Sequence, residues 1–296
     1  MNWKGVLPAI TTGLNDDYSI DHGFVADHCR WLLDAGCTGV VPCGSLGEGA
    51  TLSLDEKEAL MKTCVAAAGD APVVPGIAAL STAEAVDLAQ RAERAGCQGL
   101  MVLPPYAYST DWREMKAHVD TVIRATSLPC MLYNNPVAYK TDFLPEQVAE
   151  LAAEHANLAA VKESSTDVRR VTAIRALIGD RLHPLVGVDD VIVEGVAAGA
   201  TGWIAGLVNA FPKESVAIYD YAMNGEHEKA FDLYRWFLPL LRLDTVPKFV
   251  QLIKLVQEKV DMGHRRVRPP RLELTGAELA EAEQTIAEAL ANRPAL

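Results

Sequence analysis

Short, nearly unbroken apolar runs alternate along this chain with longer stretches in which apolar residues recur at helical spacing. The runs occupy residues 5–12, 39–43, 73–78, 99–103, 129–133, 158–162, 184–188 and 202–207. None alternates strictly between polar and apolar positions, as befits parallel strands buried on both faces. The stretches between them carry helix-start signals. Ser53-Leu54-Asp55-Glu56 and Ser81-Thr82-Ala83-Glu84 both have the spacing of a capping box. A short echo marks the repeat: Ala35-Gly36-Cys37-Thr38-Gly39, Ala95-Gly96-Cys97-Gln98-Gly99 and Ala198-Gly199-Ala200-Thr201-Gly202. The first glycine of each can end a helix in the left-handed conformation just before the next strand. After residue 225 the pattern becomes helical, with candidate helices at 226–241, 246–260 and 276–292 and a break at Arg268-Pro269-Pro270-Arg271.

Eight βα units in residues 1–225 predict an α/β fold, a closed (β/α)₈ TIM barrel, followed by a C-terminal helical extension over 226–296. A doubly wound open sheet is the alternative, but no GxGxxG follows the first run, which lowers its dinucleotide-binding form. The extension shows no chemistry of its own in sequence. It is expected to pack on the barrel or to build an oligomer interface.

Composition narrows the partners. A formal net charge of −12 and a pI near 5.1 argue against nucleic acid, which favours a basic face. No run of about 18 apolar residues appears, so no membrane partner is expected. The segment Met1-Asn2-Trp3-Lys4-Gly5 enters a strand-like run directly, without a secretion leader. The six cysteines form no CxxC pair and sit in apolar contexts, which points to reduced thiols and a cytoplasmic protein.

In a barrel of this kind the chemistry comes from the C-terminal ends of the strands. The 158–162 run ends on Lys162, an amine where a hydrocarbon is expected. An ammonium in an apolar interior must be paired, neutralised or used. Two roles stay open: a buried ion-pair partner, or a nucleophile that forms a Schiff base with a carbonyl substrate. Glu163 points to the opposite face by strand alternation. Tyr133 ends the 129–133 run, either as packing or, beside an amine and a serine, as a proton shuttle. Gly44-Ser45-Leu46-Gly47-Glu48-Gly49 follows the second run. It reads as an ordinary βα turn or as a loop whose free N–H groups and Ser45 hydroxyl hold a carboxylate. It does not fit the GxSxG elbow, so Ser45 relays a proton or binds an anion rather than attacks. The seven histidines show no HxH or HxxxH spacing, so no metal site and no metal cofactor are expected.

In this order, these strand-end motifs resemble the dihydrodipicolinate synthase / N-acetylneuraminate lyase superfamily over almost the whole chain. Gly44-Ser45-Leu46-Gly47-Glu48 is similar to its GxxGE loop, Tyr133-Asn134-Asn135-Pro136 to its YNxP segment, and Val161-Lys162-Glu163 to its Schiff-base strand. Gly187 and Asp189 are similar to its G-x-D segment, and residues 202–206 to its last strand. The resemblance implies a class I, metal-independent enzyme acting on a 2-oxo acid without a cofactor, assembled as a homo-oligomer, a tetramer or a dimer. It implies Lys162 as nucleophile and Tyr133 as general acid/base. Gly44, Ser45 and Gly187 would contact the substrate, and the Ile204 backbone would shape the pocket.

Three departures bear on the reaction. The synthase branch has two threonines where this chain has Ser45-Leu46, a second tyrosine where Ala107 stands, and an arginine after YNxP where Val137-Ala138-Tyr139-Lys140 has none. Leu46 cannot relay a proton and Ala107 cannot supply one. The segments from Tyr133 to Tyr139, from Gly187 to Asp190 and from Ala205 to Ala210 are most similar to the Δ1-pyrroline-4-hydroxy-2-carboxylate deaminases of hydroxyproline breakdown. The expected reaction is therefore dehydration and deamination of that cyclic imine. The alternatives are a pyruvate-dependent aldolase of the 2-keto-3-deoxy sugar acid or N-acetylneuraminate type, a dihydrodipicolinate synthase with a modified relay, and a non-catalytic 2-oxo-acid sensor. In each catalytic version the neutral amine must be reached, which for a free lysine at pH 7 costs about 4.6 kcal/mol. Burial at the strand end lowers that cost.

Overall fold

A computed structural model describes residues 1–105 and 111–296. Seven parallel strands form one curled sheet: β1 (Gly5–Pro8), β2 (Gly76–Ile77), β3 (Leu100–Val102), β4 (Cys130–Asn134), β5 (Leu158–Glu163), β6 (His183–Val186) and β7 (Gly202–Ala205). Their order is β1-β7-β6-β5-β4-β3-β2. Between β1 and β2 the chain at 38–42 closes the circle. Val41 bridges to Ala9 and Val40 to Val73. Val41 N donates to Pro8 O at 2.8 Å and Val74 N to Val40 O at 2.9 Å. The result is the expected (β/α)₈ barrel, with one correction. The 39–43 run is two isolated bridges instead of a ladder, and the 73–78 run shortens to β2. Pro42, Pro72 and Pro75 explain both, because each removes an N–H that a regular ladder would use.

The helices are α1 (His22–Asp34), α2 (Leu54–Ala68), α3 (Thr82–Arg94), α4 (Trp112–Arg124), α5 (Pro136–Tyr139), α6 (Pro145–Glu154), α7 (Arg169–Ile178), α8 (Ile192–Ala197), α9 (Pro212–Met223), α10 (His227–Leu241), α11 (Phe249–Lys259) and α12 (Gly276–Ala291). Ser53 and Glu56 make the full capping box on α2. Ser81 Oγ caps α3 by accepting from Glu84 N at 3.2 Å. Gly36, Gly96 and Gly199 have φ of 102°, 88° and 108°, so the repeated motif does end each preceding helix in the left-handed region. Leu7, Val41, Ile77, Met101, Leu132, Val161, Leu185 and Trp203 are buried and carry the core through every wall of the barrel.

The extension is laced onto the barrel rather than hung from it. α10 runs beside α9, and Arg293 after α12 pairs with the buried Glu214 of α9 at 2.5 Å. Lys254 on α11 pairs with Glu48 of the second-run loop at 2.5 Å. Arg268 reaches Glu56 and the Thr51 carbonyl beside that loop. Residues 242–271 thus return across the pole where the strands end.

Candidate active site

Tyr133 and Lys162 are register partners on β4 and β5, so parallel pairing puts the two side chains next to each other. Lys162 Nζ lies 4.1 Å from the centroid of the Tyr133 ring. Both are buried, 7 % and 4 % exposed. Burial pulls the Lys162 amine down to about 8, against the opposing pull of the Asp244 and Asp189 carboxylates. Burial pushes the Tyr133 phenol up, opposed by a hydrogen bond that Asn135 Nδ2 donates to its oxygen at 3.0 Å. Lys162 makes no ion pair among the described residues. Its stem needs the bare backbone of Gly187: a Cβ there would sit 2.6 Å from Lys162 Cε and 2.0 Å from Ser164 Oγ. Glu163, one residue on, faces away, accepting from Asn134 Nδ2 at 3.1 Å and Ser165 N at 2.7 Å.

The Gly44–Glu48 loop is pinned from beneath. Glu48 is 1 % exposed, accepts from Lys254 Nζ and from Arg268 N at 2.8 Å, and holds a positive φ of 56°. Thr12 Oγ1 donates to Gly47 O at 2.6 Å. The N–H groups of Gly44, Ser45 and Leu46 make no hydrogen bond among the described residues, so they remain free to meet an anion. Leu46 is buried, 3 % exposed. Ser45 Oγ hydrogen-bonds to the Tyr139 hydroxyl, not to Tyr133. Tyr139 stands edge-on to Tyr133 with ring centroids 5.8 Å apart, so Ser45, Tyr139 and Tyr133 form one chain of hydroxyl-bearing groups. Its carrier α5 is set by Pro136 at the first helical position and by the Asn135 cap on Ala138 N. The position of Ala107 lies outside the described residues.

Asp189 is fully buried and accepts from Trp203 Nε1 at 3.0 Å, Gly206 N at 3.1 Å and Leu207 N at 2.7 Å. It fixes the chain that leaves β7, two residues beyond Ile204, which is itself buried opposite Leu7 of β1. Burial raises the Asp189 carboxyl to about 6 despite those donors.

Three groups here were not singled out in the sequence. Tyr139 was visible as a non-arginine and as the end of the deaminase-like segment, without a role of its own, and Lys254 as one polar position on an amphipathic helix. Asp244 comes from the extension, in a 3₁₀ turn at Arg242–Asp244 directly after α10. It lies against Gly206, where a Cβ would be 2.1 Å from Asp244 Oδ1. That oxygen is sealed from solvent without a hydrogen-bond partner among the described residues. Burial and the neighbouring Asp189 push the Asp244 carboxyl well above the usual range. The one available signal is the acidic residue in Asp244-Thr245-Val246-Pro247, where a helical pattern stops.

Volume alone would misplace the site. A groove of about 440 Å³ opens on the extension between α11 and α12, but its walls are chiefly Leu243, Val246, Leu252, Leu274 and Ala282. Asp120, Glu154 and His155 meet in the helix layer at the opposite pole, where Arg124 and Lys116 already hold the two carboxylates at 2.9 and 2.6 Å.

A parallel barrel with a helical extension, presenting a buried amine and a phenol at its strand ends, defines a class: metal-independent, Schiff-base-forming lyases. The chain belongs to the dihydrodipicolinate synthetase family, whose model matches residues 2–289. It is 32 % identical over 269 residues to the 4-hydroxy-tetrahydrodipicolinate synthase of Agrobacterium fabrum, covering 90 % of this chain and 92 % of that one. It is 36 % identical over 232 residues to the synthase of Natronomonas pharaonis, covering 78 % and 79 %. Among solved structures it is similar to a dihydrodipicolinate synthase from Bacillus anthracis, with a TM-score of 0.93, 25 % identity and full coverage of both chains. The Aquifex aeolicus synthase superposes with a TM-score of 0.92 at 25 % identity, covering 98 % of each chain. The protein is accordingly an enzyme of this lyase family. No described helix is long and apolar enough to cross a membrane.

Proposed function

We propose that this enzyme is a Δ1-pyrroline-4-hydroxy-2-carboxylate deaminase in which Lys162 is the nucleophile. The observation that carries the substrate choice is the Ser45–Tyr139 pair. A synthase of this family uses an arginine in this stretch for the carboxylate of its second reactant. Here the inward group is the neutral phenol of Tyr139. The neighbouring cation, Lys140, folds back onto Val137 O at 2.9 Å. The buried Leu46 adds a hydrocarbon where the synthase has a hydroxyl. Such a pocket suits a substrate with one carboxylate, held by the free amides of Gly44 and Ser45 and the Ser45 hydroxyl.

With its pKa near 8, Lys162 reaches the neutral amine at pH 7 for about 1–2 kcal/mol instead of about 4.6. The amine attacks C2 of the cyclic imine, and Tyr133 moves protons between the nitrogens as the ring opens. The iminium on Lys162 acidifies C3. Loss of a C3 proton gives an enamine that expels the 4-hydroxyl as water. The conjugated iminium then isomerises: C5 loses a proton, C3 and C4 are protonated, and the C5 amine gives up an N–H proton to become an imine, with no net change in hydrogen. Hydrolysis of that terminal imine releases ammonia, and hydrolysis of the Schiff base releases a 2,5-dioxo acid. Gly187 leaves room for Lys162 to swing, and Ile204 closes the wall.

A synthase with a remodelled relay is the second reading, supported by the names of the curated relatives at 32 % and 36 % identity. A product assay separates the two. Stoichiometric ammonia from the hydroxypyrroline carboxylate supports the deaminase. No ammonia, with condensation of pyruvate and aspartate semialdehyde, refutes it in favour of the synthase.

A further inference from the structure

The site has proton-carrying groups on two sides of Lys162. Tyr133 flanks it from β4, through the strand pairing already described. On the other side lie the ends of β6 and β7, where Asp189 anchors Gly206 and Asp244 leans over it. The turn that delivers Asp244 is fixed independently of any ligand. Thr245 N and Thr245 Oγ1 both donate to Arg242 O, at 3.1 and 3.0 Å. Arg242 Nε lies 3.6 Å from Asp190 Oδ2, and the Tyr234 hydroxyl donates to Asp190 O, so α10 is tied to the chain after β6. The carboxyl group so held has no bond of its own at Oδ1. A sealed, unpartnered carboxyl oxygen is costly unless it serves something.

We infer that Asp244 is the general acid that protonates the departing 4-hydroxyl of the substrate, a role that rests on the deaminase reading. The reaction needs two separate proton movements, one at the amine and C3, the other at the C4 oxygen. Tyr133 and Asp244 lie on opposite sides of Lys162 around the barrel mouth and divide them. In the elimination step the enamine nitrogen on Lys162 pushes its lone pair toward C2, the C2–C3 π pair forms the C3–C4 double bond, and the C4–O bond breaks. The electron pair of that bond goes to oxygen, which takes the proton of the Asp244 carboxyl and leaves as water. The products are a conjugated iminium on Lys162, a water molecule and the Asp244 carboxylate. The new charge on nitrogen and the charge left on Asp244 offset each other.

The groups that face Asp244 fit this role. Burial and the charges of Asp189 and Asp190 hold its proton on, while Lys162 acts in the opposite sense. Burial thus keeps the Asp244 carboxyl protonated and ready to donate, and lowers the cost of freeing the Lys162 amine.

The test uses the full-length enzyme and the isosteric variant Asp244→Asn. With the hydroxypyrroline carboxylate, ammonia release should fall about 10²–10³-fold in kcat, the usual size of a general-acid contribution. Borohydride trapping of pyruvate on Lys162, and exchange of the pyruvate methyl protons with D₂O, should persist at rates no lower than wild type, since losing the Asp244 carboxylate removes one pull that holds the Lys162 proton on, and this shows an intact fold and Schiff base. With the 4-chloro analogue, whose leaving group needs no proton, the loss should largely vanish. Wild-type ammonia release in Asp244→Asn overturns the inference. So does an equal loss with both leaving groups, which would make Asp244 a structural residue. If wild-type enzyme exchanges and traps pyruvate but releases no ammonia, the deaminase reading fails and the inference falls with it.

Discussion

Two lysines of this protein are buried to a similar degree and live in opposite surroundings. Lys254 is 2 % exposed and Lys162 is 7 % exposed, and burial pulls both below the ordinary lysine value. Lys254 is answered at once by Glu48 Oε1 at 2.5 Å and Arg266 O at 2.8 Å. Lys162 has an aromatic face at 4.1 Å and carboxylates that act on it only through space. The first arrangement rewards an ammonium and locks it. The second withholds the reward, so the proton is easily lost. Burial alone does not free an amine of its proton; burial without a bonded counter-ion does. Under the proposed function the pair would also divide the labour: Lys254 fixes the loop that would hold the substrate carboxylate, and Lys162 would be left for the carbonyl.

The largest effect that would break this contrast is on activity. Lys162→Met should reduce ammonia release to background. At pH 7, below the folded value near 8, the wild-type chain carries an ammonium that its interior hosts poorly. The variant should therefore melt at the same temperature or higher, checked by calorimetry. Lys254→Met should do the reverse. Leaving buried Glu48 with only the Arg268 N–H and the Arg271 guanidinium at 3.9 Å should cost about 3 kcal/mol in denaturant unfolding, while the surviving folded enzyme still traps substrate on Lys162.

The pH dependence sharpens the comparison further. Below about 8 the Lys162 amine is mostly protonated, so the rate of adduct formation should rise about tenfold per pH unit on approach to that value and then level. A rate still climbing toward pH 10 would mean that the amine titrates as an exposed lysine. The smallest effect is expected from Tyr139→Phe, which removes the partner of Ser45 and should lower kcat/KM about tenfold, the worth of one hydrogen bond. An unchanged kcat/KM would remove Tyr139 from the substrate-holding group.

Much of this was legible in the sequence where the cause is local. Apolar runs mark the strands, and Gly36, Gly96 and Gly199 mark helix ends, because each depends on its own few residues. The prolines at 42, 72 and 75 were equally visible, but their effect on two neighbouring strands required knowing which segments pair. Lys162 could be singled out because an amine at a strand end violates the local pattern. Asp244 and Lys254 violate nothing locally. A charged residue beside a helix break, or one on an amphipathic helix, is commonplace. Their significance comes from Gly206 and, for Lys254, from Glu48, 206 residues away in the chain. Tyr139 was read for what it is not, an arginine, and its bond to Ser45 across 94 residues required the folded barrel.

The account turns on which lysine meets the carbonyl. The enzyme is incubated with pyruvate or with the hydroxypyrroline carboxylate, reduced with borohydride, digested and mapped by mass spectrometry. The account predicts one adduct, on the peptide that carries Lys162, and none on the peptide that carries Lys254. No adduct, or an adduct on Lys254, would contradict it.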